Sequence, residues 1–491
     1  MLKTKKLLTL VYPPKISTGF TGDVSLALLY LAGAARDSGI CDDIRIFDFN
    51  APIGQGKTIE DLLVSLAIMH DAQADVQHVV AINCLYSALF PAVRKISSTV
   101  KEKFPFIKIA VGGMHPTFFA NEIISNCTEI DAVSIGESDM TFPELLRFLF
   151  EESPPPLKGS CVRFDGNAVF STRPPFIHDL DSIPMPGYEY FNLSEYAVDT
   201  SAWWNPDGIK ISSFSLPLLT SRSCPNMCNF CAMRIVMGNR FRPRSARHVF
   251  EEILWLYNEY GCTYFKIEDD NVTFDRKRIV DICKMIIESD MKVYFDARNG
   301  LSIKTLDEEV VQLMRKAGFI MVALAVESGS DYIRNKIMGK KISRSEIINA
   351  FKLCRASGMN VNSYFIVGMP EETEETLQET IDLIKDIDAT RVSVVPAKPL
   401  PGTKLYAQCE RDGLLAGGFD PLSLWNGEAE KNNLKKEEFY VKRLLNHDAR
   451  QFWIKPYKLS MDRLAEIDIE IQKIAYEKSR RWVEHIRKNH G

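Results

Sequence analysis

No stretch of this 491-residue chain is apolar for long enough to cross a bilayer. The longest uninterrupted apolar run, Phe319 to Val326, falls far short of the roughly 20 residues that a spanning helix needs. Charge of one sign is equally scarce. The formal net charge is −4 and the 60 basic residues form no dense block, so nucleic acid is not the default partner. There is no internal repeat, no low-complexity tract and no compositional bias toward disorder, so no long tail has to be explained. An export signal is lacking as well. Lys3, Lys5 and Lys6 precede an apolar run, Leu7 to Tyr12, but Pro13 and Pro14 end it too soon for the hydrophobic segment of a signal peptide. It reads instead as a first β-strand, and a cytoplasmic protein, at most peripheral to a membrane, is expected.

What is present is the composition of an ordered protein, 46% hydrophobic and 25% charged, in a chain too long for one core. Two substantial domains with appendages are expected. Of the 11 cysteines, eight are scattered singly and three are bunched. That pattern favours reduced thiols with one metal site over disulfides. Arg240, Arg242, Arg244 and Arg247 make the one notable basic cluster, read as a solvated face in preference to a site for an anionic ligand.

Residues 1–150 alternate strand and helix, with strands at Leu7–Tyr12, Ile44–Phe47, His78–Asn83, Ile107–Val111 and Ala132–Ile135. This is the pattern of an α/β, doubly wound parallel sheet, which binds ligands at the carboxyl ends of its strands. Residues 151–208 read as a Pro-rich linker around one hairpin, Cys161–Phe164 and Ala168–Ser171 about an Asp165-Gly166 turn. Within it, Asp179 to Tyr188 is expected to pack across a domain boundary. Residues 209–405 return to alternation, with strands at Ile209–Leu219, Tyr264–Glu268, Val293–Ala297, Met321–Glu327, Asn360–Val367 and Arg391–Val395. Six βα units predict a partial, TIM-like barrel with its chemistry at the C-terminal strand ends. Residues 406–491 read as helical, ending in a long helix whose Leu464, Ile467, Ile471, Ile474 and Trp482 trace one packing face, broken once by Lys478.

The strongest chemical signal is Cys224-Pro225-Asn226-Met227-Cys228-Asn229-Phe230-Cys231, on a loop directly after a predicted strand. Three thiolates so close can grip three corners of an iron–sulfur cube and leave the fourth iron open. Structural zinc would need a fourth ligand, and the nearest histidine, His248, lies inside the predicted following helix. The C-x-x-x-C-x-x-C spacing, the aromatic Phe230 before the third cysteine and the upstream strand together resemble the radical S-adenosylmethionine superfamily. The resemblance covers about residues 209–405. It implies a [4Fe–4S] cluster on Cys224, Cys228 and Cys231, with S-adenosylmethionine chelated to the open iron and cleaved by one electron to a 5′-deoxyadenosyl radical. An electron donor such as a flavodoxin or ferredoxin is implied with it.

Other positions fit that superfamily's pattern. Glu268, ending the second barrel strand, is placed like the acidic residue that accepts from the methionine amino group, whereas Asp269 to Asn271 also read as a solvated turn. Glu327 and Ser328 end the fourth strand and resemble the segment that contacts the ribose and methionine carboxylate. A carboxylate there needs a partner, and Arg298, after the third strand, is a candidate for it or for a cap on the barrel edge. Gly368 resembles the adenine-contacting turn, and Pro399 to Thr403 the exit from the sixth strand.

The N-terminal segment resembles the cobalamin-binding domain that precedes the barrel in one subgroup of these enzymes. The features that carry this are Ser87 after the third strand, Gly112, Gly113 and His115 after the fourth, and Gly136 and Glu137 after the fifth. The D-x-H-x-x-G motif by which other cobalamin proteins ligate cobalt is absent, as it often is in this subgroup. The implied reaction is radical methylation: one S-adenosylmethionine methylates cobalamin, a second supplies the radical, and an unactivated C–H becomes C–CH₃. Three alternatives remain within this architecture. One is an oxidative cyclase of the bacteriochlorophyll type. Another is a methylthiotransferase with a second cluster on Cys41, Cys84 and Cys127, although that family carries a small C-terminal β-barrel. The third is a domain that has lost its cobalamin. A non-catalytic cobalamin sensor is the alternative from another class. Trp203, Trp204, Trp425 and Trp453 are candidate walls of an apolar pocket, and a small-molecule or lipid substrate is expected.

Overall fold

The computed structural model describes residues 4–14, 24–51, 56–71, 76–151, 154–156, 158–196, 209–417, 419 and 451–490. These fall into two units, residues 4–196 and 209–490.

The first unit is built on a sheet of order β2-β1-β3-β4-β5-β6-β7. β1 (Lys5–Tyr12), β2 (Asp43–Asp48), β3 (Val76–Asn83), β4 (Lys108–Gly112) and β5 (Ala132–Ser134) are parallel. Six consecutive residues of β1, Leu7 to Tyr12, are buried, as a strand covered on both faces requires. The expected hairpin, β6 (Ser160–Phe164) and β7 (Asn167–Val169), turns through Asp165 and Gly166, both at positive φ. It adds antiparallel to β5 and so extends this sheet. The segment Asp179–Tyr188 touches the helix Leu26–Ser38 of its own unit. The Gly187 amide donates to Leu29 O at 2.8 Å, and a Cβ on Gly33 would lie 2.2 Å from Met185 O. Two small residues let the helix Leu26–Ser38 and this segment touch backbone to backbone.

The second unit holds six parallel strands in sequential order: β8 (Leu216–Leu218), β11 (Tyr264–Ile267), β12 (Tyr294–Ala297), β13 (Phe319–Glu327), β14 (Asn360–Val367) and β15 (Arg391–Pro396). β9 (Ser221–Arg222) and β10 (Arg242–Pro243) are a short antiparallel pair that brackets the cysteine loop. Helices Ala246–Tyr260, Arg276–Glu288, Glu308–Lys316, Arg344–Ala356 and Glu374–Asp386 separate the strands. Ser245, Asp275, Asp307, Ser343 and Thr373 each cap one of them with a side-chain oxygen on a first-turn amide. The first strand is shorter than the Ile209–Leu219 expected. The Ser212 amide donates to Thr263 Oγ1 and the Ser212 hydroxyl to Phe214 O, so side chains take up backbone groups a longer ladder would use. On one face of the sheet Phe265, Phe295 and Phe319 stack in register. On the opposite face Tyr364 reaches across from β14 and donates to Arg298 O at 2.9 Å.

The terminal helix Met461–His490 packs on β15 and on the helix Glu374–Asp386. Leu464, Ile467, Ile471 and Trp482 are buried, while Ile474 is only half-buried and Ala475 and Ser479 complete the face. Lys478 does not break the packing. Its ammonium donates to Lys385 O and Ile387 O, where the carbonyls of a helix end lack partners. Ser479 Oγ accepts the Val392 amide at 2.9 Å, covering the open edge of the sheet. Among the described residues no helix is long and apolar enough to cross a membrane.

Candidate cluster and cofactor sites

The cysteine loop leaves β9 through Ser223, at φ +72, whose hydroxyl donates to Gly238 O at 2.6 Å. It is held from two sides by backbone: the Asn229 amide donates to Met338 O at 3.1 Å, and the Leu405 amide to Asn229 O at 3.0 Å. Phe230 packs into an apolar cluster with Ile333, Met338, Met369 and Leu405, which pins the loop. Cys228 is buried and Cys224 and Cys231 are half-buried. Burial pushes the Cys228 thiol up to about 12 and raises Cys231. Thiolates here need a cation to hold them in the charged form, which is what cluster iron supplies. Asn271 adds a contact that sequence reasoning missed. Its Nδ2 lies 3.7 Å from Cys224 Sγ, and its buried Oδ1 has no hydrogen-bond partner. Among the described residues no three Cys, His, Asp or Glu side chains close on one point as the ligands of a single ion do. Three thiols on one loop suit a cube, which takes one thiolate at each of three corners.

Glu268 directly follows β11, its amide donating to Leu218 O at 2.9 Å and its Oε2 accepting from Asn299 Nδ2 at 3.2 Å. Asp269 corrects the solvated-turn reading. It is fully buried, and its carboxylate accepts from the Thr220 amide and hydroxyl, each at 2.6 Å, and from the Ser221 hydroxyl. It therefore fixes the strand exit that leads to the cysteines. Burial, with the charge of Asp269 behind it, pushes the Asp270 carboxyl up to about 6.

Glu327 sits at φ +71, at a register shift between Ala325 and Glu327, a backbone state that costs a non-glycine residue about 1–3 kcal/mol. Its partner is Lys340, whose Nζ lies 3.0 Å from Glu327 Oε1. Arg298, the partner considered from sequence, pairs instead with Asp296 at 2.8 Å. The distance along the chain explains the miss: Lys340 returns to the strand end through the π-turn Tyr332–Ile337. Burial works to lower the Lys340 ammonium, but the Glu327 carboxylate and the Cys228 thiol outweigh it and raise it. The Ser328 hydroxyl is turned inward toward Thr380 and accepts the Ser330 amide, so any ligand contact there runs through other atoms of the segment. Gly368, at φ +89, donates its amide to Glu372 Oε2 at 2.5 Å, and a Cβ on it would lie 2.8 Å from the Phe452 ring. Burial pushes the Glu372 carboxyl up to about 8. Of the basic cluster, Arg242 and Arg244 are buried, Arg244 pairing with Glu252 at 2.5 Å, while Arg247 pairs with Glu251 on the surface. The solvated-face reading therefore holds for Arg247 and fails for the two buried arginines. Trp453 stacks edge-on with Phe419, and Trp203, Trp204 and Trp425 lie outside the described residues.

In the first unit the carboxyl strand ends converge. His115 Nδ1 and Ser87 Oγ are 3.0 Å apart, the Cys84 amide donates to Gly112 O at 2.7 Å, and Thr117 Oγ1 accepts the Gly136 amide at 2.9 Å. Gly113, at φ +118, lies so close to Cys84 that a Cβ would approach its carbonyl oxygen to 2.6 Å. His115 is buried between the rings of Phe90 and Phe119, and burial lowers it to about 4, so the imidazole is neutral. Its Nε2 is buried without a partner, a group of the kind that a bound polar ligand satisfies. Glu137 Oε2 accepts the Ile177 amide at 2.9 Å. These residues fit a large, weakly charged ring system at the strand ends. Cys84 and Cys127 are buried in the apolar core of this unit, and burial raises both thiols and pushes Cys41 up to about 12.

Comparison with known proteins assigns both segments to known families. The Radical SAM superfamily profile matches residues 218–384 and the B12 binding domain profile residues 23–146. The chain is 31% identical over 424 residues to an uncharacterised methyltransferase of Pyrococcus horikoshii, covering 84% of this chain and 85% of the relative. It is 27% identical to the cytidylyl-2-hydroxyethylphosphonate methyltransferase of Streptomyces wedmorensis, over 71% of this chain and 72% of the relative. An anaerobic magnesium-protoporphyrin IX monomethyl ester cyclase of Cereibacter sphaeroides is 26% identical, over 85% and 67%. Among solved structures, the cobalamin-dependent S-adenosylmethionine radical enzyme OxsB shares the fold, with a TM-score of 0.63 at 19% identity. The match covers 83% of this chain but only 55% of OxsB. The chain belongs to the cobalamin-binding radical S-adenosylmethionine enzymes, whose cofactors are a [4Fe–4S] cluster, S-adenosylmethionine and cobalamin.

Proposed function

We propose that this enzyme is a C-methyltransferase acting on an unactivated carbon of a small molecule or lipid. The observation that carries the reading is the tandem of a cobalamin-type strand-end site and a three-thiol loop in a chain 31% identical, over most of its length, to a relative named as a methyltransferase. When bound, the cluster and S-adenosylmethionine supply a hydrogen-abstracting radical, and cobalamin supplies the methyl group. The protein's own residues divide the remaining work. Cys224, Cys228 and Cys231 hold the cluster, and Phe230 and Asn271 keep their loop in place. Glu268 would accept from the methionine amino group, the Glu327 strand end would hold the ribose and methionine carboxylate, the Gly368 turn would hold the adenine, and Arg298, paired with Asp296, would cap the barrel edge beside them. Ser87, Gly112, Gly113, His115, Gly136 and Glu137 seat the corrin. The reading includes a cytoplasmic location and a flavodoxin- or ferredoxin-type electron donor.

The cyclase relative supports a second reading, oxidative ring formation on the same architecture. One experiment separates them. The protein is produced with iron, sulfide and cobalamin, loaded with S-adenosylmethionine carrying a deuterated methyl group, and incubated under reducing anaerobic conditions with a metabolite extract. Methylation transfers label to a product. A stoichiometric corrinoid with unlabelled, hydrogen-depleted product selects the cyclase. Iron without corrinoid removes the cobalamin-dependent reading.

A further inference from the structure

We propose that Lys340 and Glu327 form a charge pair that tunes the reduction potential of the cluster, the ammonium favouring the reduced state and the carboxylate opposing it. The inference rests on the assignment of the cluster to Cys224, Cys228 and Cys231. Three observations place the pair. The side chains are only 14% and 9% exposed and meet at 3.0 Å, so their charges act through a medium that screens poorly. Lys340 Nζ also donates to Ala325 O at 2.9 Å, which ties it to the irregular strand end that holds Glu327 at positive φ. The chain just before Lys340 lies on the cysteine loop: Met338 O accepts the Asn229 amide, and a Cβ on Gly339 would stand 3.3 Å from Met227 O and 4.0 Å from Cys228 Cα. Lys340 thereby leaves a backbone segment that lies on the cysteine loop, and its ammonium is tied to the strand end. Reduction adds one negative charge to the cluster, so a neighbouring cation stabilises the product and a neighbouring anion destabilises it.

The test is an anaerobic potentiometric titration of the reconstituted full-length enzyme, without S-adenosylmethionine, using dithionite and redox mediators and read by electron paramagnetic resonance of the reduced cluster. Lys340→Met is expected to make reduction about tenfold less favourable, a fall of about 59 mV for one electron. Glu327→Gln is expected to shift the potential upward, Lys340→Arg to keep it near wild type, and the double variant K340M/E327Q to fall between the single variants. Mere loosening of the site would move both single variants the same way. Shifts of one sign, or an unchanged potential in both single variants carrying full clusters, overturn the proposal. If Lys340→Met fails to take up iron, the upward shift in Glu327→Gln against an unmoved Lys340→Arg still decides. A wild-type protein that holds no cluster defeats the assignment beneath it, an outcome seen in the iron content before any titration.

Discussion

The two units of this enzyme furnish the carboxyl ends of their parallel strands in opposite ways. In the first, the strand-end site residues are three glycines, a serine, a histidine that burial keeps neutral and one carboxylate, Glu137, which accepts the Ile177 amide. In the second they are thiols and carboxylates, several of them buried and matched with a cation or with amide and hydroxyl donors. A large, weakly charged ring is recognised mainly by shape and needs backbone laid bare. A cluster and a zwitterionic cosubstrate are recognised by charge, and each buried charge needs its own compensation.

The largest expected effect sharpens this contrast. Replacing Cys224, Cys228 and Cys231 together with alanine should abolish cluster absorbance and iron content while corrinoid binding persists, as measured by anaerobic absorption spectra and metal analysis. Loss of both cofactors at once would show that the two sites do not form separately.

Next comes a pair of opposite pH responses. In the first unit burial, reinforced by neighbouring His70, lowers buried His78 to about 3. The unfolded state, with a histidine near 6.5, then binds the extra proton, so stability is lost as pH falls from about 6.5 toward 3. In the second unit Glu372 is raised to about 8, so its contribution is fully present below about 4.5 and is lost as pH rises through 8. Each effect is on the order of 5 kcal/mol at full titration. Thermal unfolding followed from pH 4 to 9 should show His78→Gln flattening the acid limb and Glu372→Gln the alkaline one. Parallel changes in the two variants would contradict the assignment.

Gly113→Ala should cost about 2–3 kcal/mol in denaturant unfolding, since the new methyl meets the backbone of Cys84 at a φ that L-residues avoid. Gly136→Ala, whose methyl meets only the movable side chain of Arg173, should cost less. The smallest effect compares the sheet margins. The first unit extends its sheet with the hairpin, whereas the second covers β15 with a helix, and Ser479→Ala, which leaves the Val392 amide without its partner, should cost about 1 kcal/mol.

Much of this was legible in the sequence, for reasons that differ by residue. The strand and helix alternation carried over because apolar runs and capping residues act locally: five of the barrel strands lie within three residues of their expected bounds. The terminal helix showed its face, but Lys478 looked like a flaw because its acceptors, Lys385 O and Ile387 O, belong to another helix. Asp269 read as a turn former because aspartate usually is one, and only the fold turns it onto Thr220 and Ser221.

The sequence by itself determined that three thiols share one loop, since Cys224, Cys228 and Cys231 fall within eight residues and must lie close together whatever the rest of the chain does. It also determined which strand ends carry glycine and which carry carboxylate. Tertiary structure alone decided the pairings: Lys340 with Glu327, Arg298 with Asp296, Asn271 with Cys224, and His115 with Ser87. A buried charge or donor is satisfied by whatever the fold brings within about 3 Å of it. Chain separation says little about which group that will be.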